Sequence, residues 1–361
     1  MAVRSKSGAV AADGAVAPRP KVRIEEVARA AGVSAATVSR VLNRTALVSD
    51  DLRDRVEAAA REMGYVAHGA ARALASRRSR AMGAVVPTLT NTIFSDAIEA
   101  FQQRLDAEHH TMLLATYDYD EELEYRTVRT MIERGVDGLM LVGSMHPPHL
   151  LELLEASGVP FVQTWASPRR SEHPAIGYDN GALARIVVDH LVGLGHREIG
   201  MVAGLTRHND RVQARIAGVR GAMRRHKLRL PPERIVYTRY RIEDARAALR
   251  EMQQRGPMPT ALLANNDVVA MGLVVEAAAQ GLCVPGDLSI IGVGDLEMAA
   301  HMRPPLTTVR TPKRAIGAMA ADYLLARSNG RDFDLPPELS MELVVRGTTA
   351  PPPMRHKDPD S

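Results

Sequence analysis

Cysteine is almost absent from this sequence, and long hydrophobic runs are absent altogether. The one cysteine among 361 residues, Cys283, excludes an internal disulfide framework and a cysteine-based zinc cluster and is typical of a reducing compartment. No stretch approaches the ~18 consecutive apolar residues that a membrane-spanning helix needs. Residues 1–20 lack the continuous apolar segment of a secretion signal. We therefore expect a cytoplasmic protein, with no cofactor, metal or membrane contact, whose residues 1–20 form a disordered arm.

The length of the chain suggests more than one domain, and its charge is unevenly distributed. With 361 residues and 45% hydrophobic side chains, it is long enough for two or three domains with a sizeable core. The first 80 residues hold 15 basic and 8 acidic side chains, a net charge of +7, so the remainder carries −3 of the total of +4. The basic charge is thus concentrated where it could neutralise phosphate groups. A soluble basic tail would explain the charge but not the helical pattern that accompanies it.

Residues 24–43 contain two short amphipathic segments joined by a three-residue turn. Between the segments, Gly32 suits the left-handed position that ends a helix, and the Ser34 hydroxyl can cap the next helix. This pattern predicts a helix-turn-helix, with a helical hairpin inside a core as the alternative. Apolar side chains recur at helical spacing in both segments: Ile24, Val27, Ala28 and Ala31, then Val38, Val41 and Leu42.

The second segment would present small or hydrogen-bonding side chains to solvent, able to approach base edges in a major groove. Arg40 is the natural guanine reader among them, because a guanidinium can donate to two acceptors on guanine. The candidate DNA-contacting residues are Ser34, Ala35, Ala36, Thr37, Ser39, Arg40 and Asn43, with His68 and Leu74 from the segment that follows.

A third helix is predicted after Val48, with Ser49 as its cap. Gly64 ends it, and we expect Tyr65 and Val66 to close the small core. Residues 70–80 favour a helix in their first half, but a helix this short is unstable alone. Their large apolar side chain, Leu74, could wedge between base steps in a minor groove; a flexible linker is the alternative.

From residue 81 short apolar runs alternate with amphipathic helices, which predicts an α/β fold of parallel sheets covered by helices. Two such units in sequence create a cleft between their carboxyl-end loops, the usual place for a ligand. A last helix near 313–328 and a strand near 339–346 complete this part. The other predicted strands lie near 82–86, 112–116, 138–142 and 161–165, and in a second series near 175–178, 198–203, 234–238, 261–264 and 288–293.

Short motifs occur along the chain in a distinctive order. Those near the start are Glu26-Val27-Ala28, Ala31-Gly32-Val33-Ser34, Thr37-Val38-Ser39-Arg40-Val41-Leu42-Asn43, Gly64-Tyr65 and Ala71-Arg72-Ala73-Leu74. Those downstream are Gly195-His196, Arg215-Ile216-Ala217-Gly218, Asn266-Asp267, residues 285–292 and Pro305-Leu306-Thr307-Thr308. With them the chain resembles the lactose/galactose repressor (LacI/GalR) family of bacterial transcription factors over nearly its whole length.

The resemblance implies a repressor, not an enzyme, that acts as a homodimer on palindromic operator DNA, with Leu74 of each subunit in the central minor groove. It also implies a nucleoid-associated protein with a periplasmic-binding-protein-like body of two Rossmann-like subdomains around an effector. The implied boundaries are 21–66 for the DNA-binding domain, 67–80 for a hinge helix, 81–348 for the body (81–176 with 311–335, and 177–310 with 336–348) and 349–361 for a disordered tail.

Three departures from the family pattern affect these expectations. Arg23 replaces the usual threonine cap of the first helix, so that end should be weaker unless Glu26 compensates. Ala67-His68-Gly69 replaces the usual proline-asparagine pair before the hinge helix. Gly294 stands where many members carry a sugar-binding aspartate, and Asp295 lies one step further on.

The segment 86–94, Trp165 and the Gly292-Val-Gly-Asp295 variant look like the gluconate-repressor branch of the family. The effector-site residues that this implies are Asn91, Phe94, Trp165, Arg215, Asn266 and Asp295. Trp165 can stack on a sugar, Arg215 suits a carboxylate, and the absence of an acid at Gly294 makes an anionic ligand less costly. We therefore expect a sugar acid such as gluconate. As alternatives, Trp165 and Phe94 could be core residues, Asn266 a helix cap, and Arg215 the partner of a neighbouring acid.

Other function classes fit less well. A repressor that answers to a neutral sugar or another metabolite is the nearest alternative. A sugar-binding protein of a transporter would share the body but not the DNA-binding head. Gly292-Val-Gly294 resembles part of a dinucleotide-binding loop, but Glu297 occupies the third glycine position, so the fingerprint fails.

Overall fold

The computed structural model describes residues 22–42, 48–66, 78–89 and 93–353. These residues belong to two compact units, Met1–Ser79 and Arg80–Ser361, which we call the head and the body. Within the described ranges, no helix is both long and apolar enough to cross a membrane.

The described part of the head contains three helices around a small apolar core. Gly32 ends the first helix in the left-handed conformation, with φ of 67°, and the Ser34 hydroxyl accepts a hydrogen bond from the Thr37 amide at 3.1 Å. Both features of the predicted turn are therefore confirmed. Val27, Val38 and Val56 are fully buried at the centre of the core. The helices are α1 (Ile24–Ala31), α2 (Ala35–Leu42) and α3 (Asp50–Glu62).

Side chains stabilise both helix starts that the sequence singled out. Glu26 compensates for the missing threonine, because its carboxylate accepts a hydrogen bond from the Arg23 amide at 2.7 Å. Ser49 caps α3 by accepting from the Leu52 amide at 3.4 Å. The expectation that Val66 closes the core is wrong, since its side chain is 83% exposed. Tyr65 alone packs against the core there, because Gly64 turns the chain outward after α3.

A first sheet of five parallel strands begins the body, in the order β2-β1-β3-β4-β5. Alternate residues of β1 point to opposite faces: Met82 and Ala84 pack toward α4 and α12, and Val85 packs toward α5 and α6. Because both faces are covered, the strand is an almost continuous apolar run. The elements are β1 (Ala81–Val86), α4 (Ser95–Ala107), β2 (Thr111–Thr116), α5 (Glu121–Glu133), β3 (Gly138–Val142), α6 (Pro148–Ser157), β4 (Phe161–Thr164), β5 (Ala175–Ile176) and, from the end of the chain, α12 (Lys313–Ser328).

The second sheet has six strands in the order β11-β10-β9-β8-β6-β7, all parallel except β11. Helices α7 and α8 cover one face, and α9 and α10 cover the other. The elements are α7 (Asn180–Gly193), β6 (Ile199–Gly204), α8 (Asp210–Arg225), β7 (Ile235–Thr238), α9 (Ile242–Gln254), β8 (Ala261–Ala264), α10 (Asp267–Ala279), β9 (Ser289–Gly294), α11 (Glu297–His301), β10 (Thr307–Arg310) and β11 (Glu342–Val344). Two short 3-10 helices, Pro168–Arg170 and Pro232–Arg234, lie in the loops.

Two sequence expectations about this sheet order need correction. The strand near 175–178 was grouped with the second series, but β5 pairs with β4 through Gln163 and Ala175 and so ends the first sheet. The strand β10 was not predicted; its Thr307 and Thr308 are too polar to stand out as an apolar run. Their hydroxyls are buried because they bond within the fold, Thr308 to the Asp267 carboxylate at 2.6 Å.

A buried polar cluster attaches Thr349 and Ala350 to the second sheet, so the expectation that a disordered tail begins at residue 349 is wrong. The His196 ring lies within hydrogen-bond distance of Thr260, Ser289 and the Ala350 carbonyl oxygen, at 2.8, 3.2 and 2.9 Å. His190 contacts Thr349 in the same region. Burial lowers the pKa of both histidines, and in His190 the neighbouring ring of His196 adds to the effect.

The stability of the body should therefore fall as the pH is lowered from 7 to 5.5. The unfolded chain titrates these histidines at an ordinary pKa of ~6.5, whereas the folded chain resists their protonation. Stabilisation is thus complete above that value and is lost below it. Thermal unfolding across this window tests the prediction. The variant His196→Gln should show a smaller dependence, and the matched control His109→Gln, at an exposed histidine, should keep it; equal slopes in all three proteins would contradict the assignment.

Candidate effector site

A cavity lies where the carboxyl ends of strands from both sheets face each other. Phe94, Trp165 and Tyr178 reach it from the first sheet, and Asn265 and Gly294 reach it from the second. Its volume is about 40 Å³, and a single buried water already needs roughly 10–15 Å³. The cavity is therefore small, and residues of both halves of the body line it.

The first half supplies an aromatic wall. Phe94 and Trp165 meet edge to face, with ring centroids 5.0 Å apart and planes at 88°. Trp165 directly follows β4 in the left-handed conformation, with φ of 55°, and Tyr119 follows β2 with φ of 58°. Such conformations are costly for side-chain-bearing residues and cluster at functional sites. Both rings line the cavity as a result.

The second half supplies two buried arginines from one helix. Arg211 and Arg215 lie one turn apart on α8, so their side chains share a face, and they are only 8% and 6% exposed. Arg211 pairs with Asp210 at 2.9 Å. Arg215 donates to the Asn265 carbonyl oxygen at 2.5 Å and to the Asn180 side chain at 2.7 Å.

The electrostatic surroundings of the two guanidinium groups differ. Burial lowers the pKa of Arg215, and none of the hydrogen bonds or ion pairs seen within the described residues joins it to a carboxylate. Burial would also lower the pKa of Arg211, but the Asp210 carboxylate raises it. The cavity therefore holds one compensated and one uncompensated cation.

Several buried polar atoms of residues that line the cavity have no hydrogen-bond partner within the described residues. Three are donors: Trp165 Nε1, Arg211 Nη2 and Arg215 Nε. One is an acceptor, Asn265 Oδ1. Buried polar groups are normally satisfied, and those that are not need an explanation. A ligand with an anionic group and hydroxyls would satisfy donors and acceptor together.

Polar contacts join the two halves across the cleft. Ser144, after β3, donates its amide and its hydroxyl to Asp210 Oδ2 at 2.9 and 2.8 Å. His208 and Glu121 form a second link, 2.5 Å between ring nitrogen and carboxylate oxygen. The partners from the second half, His208 and Asp210, lie at or just before the start of α8. The start of the helix that carries both arginines is therefore bonded to the first half of the body.

The predicted effector residues do not all meet in this cavity. Phe94, Trp165 and Arg215 line it. Asn266 instead caps α10, accepting from the Val269 amide at 2.9 Å. Asp295 bonds to Arg310 and Arg346, both at 2.7 Å. Asn91 lies outside the described residues.

Tyr119, Arg211 and Asn265 also line the cavity, although the sequence did not predict them as site residues. A signal existed for Arg211, since it stands four residues before Arg215 on a predicted helix. No such signal existed for Tyr119, because the sequence does not show that a residue other than glycine adopts a left-handed conformation after a strand.

The head presents most of its predicted DNA-contacting side chains on one helix. Ser34, Ala36 and Arg40 are exposed, and the other candidates on α2, Ala35, Thr37 and Ser39, are half-buried. The Arg40 side chain bonds back to the Ala36 carbonyl oxygen at 3.3 Å. Asn43, His68 and Leu74 lie outside the described residues, as does most of the predicted hinge.

Comparison with known proteins supports the assignment of both the head and the body. Residues 23–68 match the model of bacterial regulatory proteins of the lacI family, and residues 188–349 match a periplasmic binding protein-like domain. The chain is 31% identical to the HTH-type transcriptional repressor PurR of Vibrio campbellii, over 90% of this chain and 98% of that protein. It is also 31% identical to the HTH-type transcriptional regulator GntR of Escherichia coli, over 85% of this chain and 92% of that protein.

Solved structures of known regulators have a similar fold. The fold is similar to that of the lac repressor dimer bound to operator and the anti-inducer ONPF, with a TM-score of 0.80, 28% identity and coverage of 92% of this chain and 100% of that chain. It is also similar to the transcription regulator GntR from Chromobacterium violaceum, with a TM-score of 0.71, 26% identity and coverage of 74% and 99%.

A helix-turn-helix head joined to a body of two parallel sheets defines a DNA-binding regulator. The chain belongs to the LacI family of bacterial regulatory proteins and is a DNA-binding transcriptional repressor of that family. The relatives and solved structures named above are transcriptional regulators, not enzymes.

Proposed function

We propose that the effector of this repressor is a small sugar acid, such as gluconate, bound in the cavity between the two halves of the body. The observation that carries the proposal is Arg215, a buried cation that no carboxylate of the described residues compensates. A buried charge is costly unless it is paired, so a carboxylate from a ligand would stabilise it.

The rest of the cavity suits a polyhydroxylated carbon chain. Phe94 and Trp165 offer apolar faces to the carbons, while Trp165 Nε1 and Asn265 Oδ1 offer a donor and an acceptor to hydroxyls. Gly294 at the end of β9 adds no acid, which keeps the local charge positive. The likeness to the regulator GntR accords with this ligand class but does not distinguish it, since the repressor PurR is equally similar.

The proposed switch follows from differential affinity. An effector that binds one arrangement of the two halves more tightly shifts the body toward it. In a homodimer with head 21–66, hinge 67–80 and body 81–348, that shift would change the spacing of two heads on a palindromic operator. Gly32, Ser34 and the exposed Arg40 make α2 the proposed recognition helix.

Two measurements on the full chain test the proposal. Calorimetric titration with a panel of aldonates should give binding by gluconate or a stereoisomer and weaker binding by the corresponding neutral sugars. Operator binding should then change when the bound aldonate is present. If no aldonate binds, or if saturation leaves operator binding unchanged, the effector class is wrong; tighter binding of a neutral sugar would favour the alternative.

A further inference from the structure

The charges around the cavity are few and can be counted. Among the described residues that line it, Arg211 and Arg215 are the charged ones. Asp210 bonds to Arg211, while Asp295 is occupied by Arg310 and Arg346 away from the cavity. The residues that line the cavity therefore bring two cations, and Asp210 neutralises one of them.

Asp210 is held in place from both sides. Its Oδ1 accepts from Arg211 Nη1 at 2.9 Å, and its Oδ2 accepts from the amide and the hydroxyl of Ser144 at 2.9 and 2.8 Å. Burial would raise the pKa of Asp210, but Arg211 and the Ser144 hydrogen bonds lower it below its ordinary value. The carboxylate is thus ionised in this arrangement and cannot turn away from Arg211 without breaking the contact between the two halves.

This arrangement limits the charge that a ligand can bring. One carboxylate placed near Arg215 balances the cavity. A second carboxylate on the same ligand would lie in the same enclosed space as Asp210, where water cannot screen the repulsion, and Arg211 is already neutralised. A neutral ligand would leave Arg215 uncompensated.

We propose that Asp210 determines the charge of the effector: by neutralising Arg211 it makes the cavity selective for monoanions over dianionic and neutral compounds of the same shape. The inference rests on the proposed sugar-acid effector and adds the residue that sets its charge. Asp210 acts through Arg211 and Ser144, and is therefore a positioning residue that determines specificity.

Three compounds with the same six-carbon chain provide the probe: glucitol is neutral, gluconate is a monoanion and glucarate is a dianion. Calorimetry on the full-length wild type should rank gluconate above the other two. In Asp210→Asn, which keeps the size of the side chain but adds one positive charge to the site, the ratio of glucarate to gluconate affinity should rise at least tenfold. Asp106→Asn is the matched control, because it makes the same substitution at an exposed carboxylate that does not line the cavity; its ratio should stay within threefold of the wild type.

A second variant changes the charge in the opposite direction. Arg211→Gln lowers the cavity charge by one, so the ratio of glucitol to gluconate affinity should rise at least tenfold. It serves as an independent test should Asp210→Asn fail to fold, which thermal unfolding will reveal. Unchanged ratios in the folded variants overturn the inference alone. If the wild type binds none of the three compounds, or all three equally, the proposed effector class fails and the inference fails with it.

Discussion

Replacing Arg215 with alanine is expected to abolish the response to the effector while leaving operator binding intact. Loss of a buried, charged hydrogen-bonding partner typically costs about 2–5 kcal/mol of binding, which corresponds to a loss of affinity of roughly 30-fold to several thousandfold. Gluconate at concentrations that saturate the wild type should then no longer alter operator binding. Calorimetry measures the first effect, and a DNA titration with and without gluconate measures the second.

Two companion variants distinguish charge from packing. Arg220→Ala removes an exposed arginine from the same helix and should leave effector affinity unchanged. Arg215→Lys retains the charge but loses the planar fork that reaches Asn265 and Asn180 together, so it should recover only part of the affinity. An Arg215→Ala protein that responds to gluconate like the wild type would remove this residue from the site.

Replacing Val38 with aspartate is expected to abolish operator binding and spare the body. Val38 is fully buried in the core of the head, and burying an unpaired carboxylate there costs about 4 kcal/mol or more. A three-helix unit of this size is stable by only a few kcal/mol, so the head should unfold. The body has its own cores and should retain its thermal transition and its gluconate affinity.

The control for this variant lies in the same unit. Val66→Asp introduces the same charge at a side chain that is 83% exposed, so any general repulsion between the added carboxylate and DNA is shared by both proteins. Val66→Asp should lose no more than a few-fold in operator affinity. Equal losses in the two variants would mean that the charge, and not the core of the head, is responsible.

The features that the sequence predicted correctly depend on interactions between residues close together in the chain. The turn at Gly32 and Ser34 was predicted, and Glu26 was named as the residue that could compensate for Arg23, because each feature depends on residues only a few positions apart. The strands of both sheets were foreseen wherever they are apolar runs. Strand β10 was not, since its buried threonines are tolerated only through hydrogen bonds to distant residues such as Asp267.

The residues of the candidate site were likewise predicted only in part. Trp165 and Arg215 were identified from motifs and line the cavity, whereas Asn266 and Asp295 were identified in the same way and bond elsewhere. Asn266 caps a helix and Asp295 forms ion pairs; the same residue types serve these roles and ligand binding, so residue identity alone could not distinguish the two. Arg211 was not predicted from the sequence. The structure places it at the cavity, one turn before Arg215 and bonded to Asp210.

The sequence by itself determined a helix-turn-helix head, an α/β body and a family of transcription regulators, because periodicity, capping residues and motif order are local and survive without coordinates. The tertiary structure alone decided which charges balance in the cleft. Only the structure shows that Arg215 meets no carboxylate of the described residues. Only the structure shows that Asp210 neutralises Arg211 and bonds to Ser144, a residue 66 positions away in the other half of the body. Effector specificity is built from such contacts, since in a buried site the energy of a charge is set by its neighbours in space and not by its neighbours in sequence.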